Sequence, residues 1–156
     1  MVNVLCGNLM LMIVRLWMIN NFNKALAFVL KWEGGYSNDP NDPGGETKYG
    51  IDKRSHPGLD IKNLTLEQAS DIYKNEYWNK CKCDELEWPF DIIVFDTAVN
   101  MGPNRALVLF QENQSWTDYL FKRINFYCKI SSKTKDRYIK GWVNRVIDIY
   151  YTIKAT

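Results

Sequence analysis

The strongest constraint in this chain is a short passage in which a helix is made to stop beside a carboxylate. From Asn21 onward, Phe22, Ala25, Leu26, Val29 and Leu30 recur at steps of three and four, the spacing of one helix face. Glu33 continues that face, four positions after Val29 and seven after Leu26. Gly34-Gly35 follows at once and predicts the end of the helix, because glycine enters the left-handed cap conformation without a Cβ penalty. The next twenty or so residues are dense in turn formers: Asn38, Asp39, Pro40, Asn41, Asp42, Pro43, Gly44, Gly45 and Gly50. A structured loop or short hairpin is expected there, with Lys48-Tyr49-Gly50-Ile51 as its strand.

Beyond the loop the periodicity is helical throughout. Thr65 with Gln68 three residues on has the form of a capping box, and Leu66, Ala69, Ile72, Tyr73 and Tyr77 form one apolar face behind it. Further helices are predicted from about Pro89 to Met101, ended by Gly102-Pro103, then from Asn104 to Gln111, from Trp116 to Ile130, and from about Asp136 through Tyr138, Trp142, Val146 and Ile149. The fold class is therefore mainly α, with a small β-hairpin or loop element after the first helix. At 156 residues, one compact domain over 21–156 is the default.

Composition excludes several functions. The net charge of +2 is too weak for a nucleic-acid surface, and no nucleic-acid partner is expected. With one histidine, His56, and cysteines at 6, 81, 83 and 128, neither a zinc site nor any other metal or cofactor is expected. Scattered thiols fit manufacture in a reducing cytoplasm. Residues 1–20 form an apolar extension whose run from Leu9 to Ile19 is broken only by Arg15. It lacks the leading positive charge of a signal peptide and the length of a membrane span. It reads as an upstream addition to a natural start at Met18, as an extra packed helix, or as a weak export or tethering segment allowing transient membrane contact through residues 9–19.

The chemistry suggested by the Glu33–Ile51 window is that of a glycosidase. Such an enzyme needs a carboxyl group that stays protonated to donate to the leaving oxygen, and a second group across the bond. Glu33 sits on an apolar face, where desolvation favours the neutral acid, and at a helix C-terminus, whose partial negative charge pushes the same way. The second group is expected from the loop. Asp42 is the first choice, as general base or electrostatic stabiliser, and the Thr47 hydroxyl is placed to position a water. Asp39 and Glu46 are alternatives. Asp42 reads equally well as a turn former before Pro-Gly-Gly, and Thr47 as a structural hydroxyl. Tyr36, Gly45 and Tyr49 are candidate sugar contacts. Asp96 and Asn100, four apart on one helix face, either brace the structure from inside or line the sugar site. Arg145 reads as a structural ion-pair partner, and Trp116 and Trp142 as core.

In order along the chain, Glu33-Gly34-Gly35-Tyr36, Asp42-Pro43-Gly44-Gly45, Thr47 and Tyr49-Gly50-Ile51 resemble glycoside hydrolase family 108. Leu64-Thr65, Ile72-Tyr73, Tyr77-Trp78, Phe95-Asp96, Ala98-Val99-Asn100, Gly141-Trp142 and Arg145-Val146 extend the likeness over most of the chain from Asn21. The resemblance implies a lysozyme-like helical fold and a phage or bacterial N-acetylmuramidase. It implies Glu33 as the essential acid and the β-1,4 bond between N-acetylmuramic acid and N-acetylglucosamine as the one cut. The Glu–Asp–Thr order is also similar to that of phage-type lysozymes, with the Asp-to-Thr gap one residue shorter. The segment from Phe110 to Trp116 departs from the family pattern by passing almost directly into the next helix, which shortens the wall-binding region. The implied partner is bacterial peptidoglycan. The enzyme is expected to be a monomer, made in the host cytoplasm and active on the wall in the periplasm or outside. The competing reading is a catalytically weak wall-binding or secretion-associated protein on the same scaffold.

Overall fold

A computed structural model describes residues 21–38, 45–112, 115–130 and 136–156. The expectations for residues 1–20, including the run 9–19 and the start at Met18, lie outside the described residues, as do Asp39 and Asp42 and part of the junction before Trp116. The described residues fall into two compact units, divided between Asn79 and Lys80.

In the first unit, helix α1 occupies residues 21–33. Its predicted face is buried at Phe22, Ala25, Leu26 and Val29, and Phe28 joins it. Each of the larger side chains, Phe22, Leu26, Phe28 and Val29, contributes roughly 1.5–3 kcal/mol by leaving water. Gly34 takes a φ of +74°, the conformation expected of a glycine closing a helix. After the loop, β1 (Thr47–Lys48) pairs antiparallel with β2 (Ile51–Asp52), in the register Thr47↔Asp52 and Lys48↔Ile51. Ser37 adds a single bridge to Thr47, with two backbone hydrogen bonds of 2.8 Å.

The hairpin corrects the sequence reading, which ran one strand through residues 48–51. Tyr49 and Gly50 instead form the turn, with φ of +53° and +75°. Two successive left-handed residues are the signature of a type I′ turn, whose twist matches that of the flanking strands.

Helix α2 spans Leu66–Tyr73, and its capping box is present: Thr65 Oγ1 accepts from the Gln68 amide at 3.2 Å, and the Gln68 side chain accepts from the Thr65 amide at 2.9 Å. Ala69 and Tyr73 are buried, whereas Leu66, expected on the apolar face, is 52% exposed. The α-helical frame also ends earlier than the four-residue spacing suggests. Residues Lys74–Trp78 form a π-turn, in which the Asn79 amide reaches back to the Lys74 carbonyl at 2.8 Å. Trp78 is buried edge-on against Phe22, with centroids 5.3 Å apart.

The second unit is built on α3 (Phe90–Met101), whose residues Asp91 to Ala98 are all buried. A helix buried on every side over two turns is an interior helix, and its polar members Asp91, Asp96 and Thr97 are buried with the rest. Gly102 separates it from α4 (Pro103–Gln111), which starts one residue before the position read from the sequence, with Pro103 in its first turn. Helices α5 (Trp116–Ile130) and α6 (Asp136–Lys154) follow as expected. The Tyr119 hydroxyl of α5 donates to the Ala106 carbonyl of α4 at 3.1 Å. Trp142 is half-buried and stacks on Tyr127 at 5.2 Å, and Trp116 is half-buried against Tyr150 at 5.6 Å. Cys81, Cys83 and Cys128 are free thiols, the first two buried.

Candidate active site

The C-terminal residue of α1 is Glu33, half-buried. What lies against it is the hairpin turn. A Cβ built on Gly50 would stand 2.9 Å from both Cβ and Cγ of Glu33, and 2.5 Å from the Tyr73 hydroxyl. Gly50 therefore has two independent reasons to be glycine: a left-handed backbone, and no room for a side chain. The turn thus lies directly on the aliphatic stem of the acid.

Tyr73 closes the arrangement from below. It is the last residue of α2 and is buried, and its hydroxyl donates to the Tyr49 carbonyl at 2.8 Å. Four residues on, Tyr77 lies 5.8 Å from Tyr73, centroid to centroid. Burial, and then the charges of Glu76, Glu33 and Asp52, push the Tyr77 phenol above its ordinary range. Tyr77 is thereby a neutral hydroxyl within electrostatic reach of three carboxyl groups. Its position in a π-turn is typical of helix irregularities at functional sites.

Among the predicted residues, Thr47 lies on β1, and its hydroxyl donates to the Gly45 carbonyl at 3.2 Å. That use is structural, and it leaves the oxygen's lone pairs able to accept from a water. Tyr49 is in the turn, with the Lys48 ammonium 5.4 Å from its ring centre. Tyr36, 46% exposed, donates its hydroxyl to Glu46 at 2.7 Å. This hydrogen bond, followed by desolvation and the Glu46 charge, raises the phenol above its usual value. Glu46, an alternative second carboxylate, is thus engaged by Tyr36.

Asp96 and Asn100 belong to the second unit. Asp96 is fully buried on α3, and its two oxygens pair with Arg123 at 2.5 Å and Arg145 at 2.8 Å. Arg123 also donates to Thr97 at 3.1 Å and to the Tyr127 hydroxyl at 2.8 Å, which in turn donates to Asn100 at 2.5 Å. A carboxylate with no exposed surface and two guanidinium partners is a brace between α3, α5 and α6, not a sugar contact.

Sequence reasoning passed over Asp52, Tyr73 and Tyr77 as site residues. Asp52 stands opposite Thr47 in the hairpin and accepts from the Ser55 amide at 2.8 Å and the Ser55 hydroxyl at 2.9 Å. Burial opposes its ionisation, but the two Ser55 hydrogen bonds, with the charges of Arg54 and His56, outweigh it and hold the carboxyl below its ordinary 3.8. The readable signal was Asp-Lys-Arg-Ser, an Asp three residues before a Ser, a spacing at which a carboxylate can take up a nearby backbone amide. His56 pairs through Nε2 with Glu76 at 3.0 Å.

A mostly helical chain with one two-stranded antiparallel sheet beside an acidic helix end has the lysozyme-like fold. Residues 26–102 match the family model of glycosyl hydrolase 108, which supports a lysozyme-like protein of the glycosyl hydrolase 108 type. The solved structure of Brucella abortus SagA is similar, with a TM-score of 0.72 and 27% sequence identity, over 87% of this chain and 95% of that one. No curated protein matches the chain significantly. The family match and the structural likeness together support a peptidoglycan-lytic, lysozyme-like function.

Proposed function

We propose that this chain is an N-acetylmuramidase, a phage or prophage endolysin that cuts the β-1,4 bond between N-acetylmuramic acid and N-acetylglucosamine. It acts as a monomer on the bacterial wall after manufacture in the host cytoplasm. The observation that carries the reading is the seating of Glu33: a half-buried carboxyl at a helix end, its stem held by the backbone of a turn that admits no side chain at Gly50.

Glu33 donates its proton to the glycosidic oxygen as the bond to the anomeric carbon breaks, and the leaving sugar departs as a neutral alcohol. The electron pair of the broken bond stays on that oxygen. Positive charge developing on the remaining ring is met by a second group and finally by water, whose surplus proton restores the acid. Asp42 is the proposed second group, with Thr47 accepting from and orienting the water. Asp52, across the hairpin from Thr47, is a further carboxylate on the same element.

The deciding experiment compares wall clearing by the wild type and Glu33→Gln, with mass spectrometry of the digest. General acid catalysis of this kind is worth about 10²–10⁴-fold. Glu33→Gln is expected to lose at least that, and the wild-type products are expected to carry reducing N-acetylmuramic acid ends. Equal clearing by both proteins would reject the proposal. In the same assay, near-normal activity in Asp42→Ala would remove Asp42 from the mechanism.

A further inference from the structure

We infer that Tyr73 is a positioning residue for Glu33, acting through the Tyr49-Gly50 turn. The inference rests on the reading of Glu33 as the acid, and it deepens that reading. Tyr49 is the informative residue. A type I′ turn asks for left-handed backbone at both central positions, and an aromatic residue there is disfavoured where asparagine or glycine is not. Nothing in the local sequence offsets this. The compensation is tertiary: the buried Tyr73 hydroxyl donates to the Tyr49 carbonyl at 2.8 Å, while Ile51, the first residue past the turn, is itself buried in the core.

The same hydroxyl oxygen stands 2.5 Å from the point where a Gly50 Cβ would be, and Glu33 Cβ and Cγ stand 2.9 Å from that point. Turn, phenol and acid therefore meet around a single backbone atom. Removing the phenol oxygen releases the Tyr49 carbonyl and opens space under Gly50. The turn then shifts off the Glu33 stem, and the carboxyl loses its fixed approach to the scissile oxygen. A misplacement of about 1 Å in a catalytic group can cost on the order of 10²-fold in rate. The loss falls on the chemical step, because Tyr73 is buried and touches no substrate.

The test is Tyr73→Phe, which keeps the ring and removes one oxygen. It is assayed on soluble N-acetylglucosamine–N-acetylmuramic acid oligomers well below its thermal midpoint. The expected result is a kcat lowered by about 10- to 100-fold with KM unchanged within about twofold. Thr65→Ala is the control for general loosening. It weakens the same helix at its cap, away from the turn, and is expected to keep wild-type kcat. Gly50→Ala is the second variant: it presses on Glu33 from the opposite side and is expected to show the same kcat-specific loss. An unchanged kcat in Tyr73→Phe overturns the inference. So does a loss of the same size in Thr65→Ala, or a loss carried by KM. A wild type no more active than Glu33→Gln would instead reject the muramidase reading itself, so the two failures are distinguishable.

Discussion

Replacing single glycines with alanine separates the two demands that the hairpin turn makes on Gly50. Three positions form a graded series. Gly58 has an ordinary φ, and a Cβ there would meet nothing within 4 Å. Gly34 has a φ of +74° with equally open surroundings. Gly50 has a φ of +75°, and its Cβ would overlap the Tyr73 hydroxyl and Glu33. Gly58→Ala is expected to stay within about 0.5 kcal/mol of the wild type, as surface changes do. Gly34→Ala pays only for left-handed backbone, roughly 1–2 kcal/mol. Gly50→Ala pays that and an overpacking cost of roughly 1–3 kcal/mol, for a total of about 2–5 kcal/mol. For a chain of this length, each kcal/mol moves the thermal midpoint by roughly 2–4 °C. Gly50→Ala should therefore melt roughly 4–20 °C below the wild type, and below Gly34→Ala. Thermal unfolding followed by far-ultraviolet circular dichroism reads all three. A Gly50→Ala midpoint at or above that of Gly34→Ala would show that the turn does not press on the acid as described.

Two further outcomes test the rest of the structure. Asp96→Asn removes the carboxylate shared by two buried guanidinium groups and should cost about 3–5 kcal/mol in urea unfolding, the usual range when one partner of a buried pair is lost. Asp52 has its carboxyl held below 3.8, so its ionised form stabilises the fold above that pH, and the contribution disappears as the pH falls through the lowered value. The midpoint difference between the wild type and Asp52→Asn should accordingly be present at pH 5–7 and close below about pH 3.8; a difference that persists at pH 2–3 would refute the assignment.

How much was legible in the sequence depended on how local each signal was. The end of α1 at Gly34, the capping box at Thr65 and the bounds of α5 were readable, because periodicity, caps and breakers act within a few residues. The hairpin turn was not, since Tyr-Gly looks like strand followed by breaker. Only a phenol 24 residues away makes Tyr49 a turn residue. The π-turn was hidden for a related reason: Tyr73 and Tyr77, four apart, fit an α-helical face, and one extra residue in the hydrogen-bonded ring leaves no mark on that spacing. Asp96 and Asn100 were recognised as a pair on one face, but their partners lie on α5, with a further one for Asp96 on α6, beyond the reach of spacing arguments.

Arg123 reaches three oxygens at once, on Asp96 and Thr97 of α3 and on Tyr127 of its own helix, through two nitrogens of one planar group. A lysine would bring a single ammonium centre and could not span that fan. Asp96 serves Arg145 as well as Arg123, so one carboxylate joins α5 and α6 to α3. Positions 96, 123 and 145 are therefore free to drift only as a set, and relatives that have lost one arginine should have rewritten the carboxylate as well.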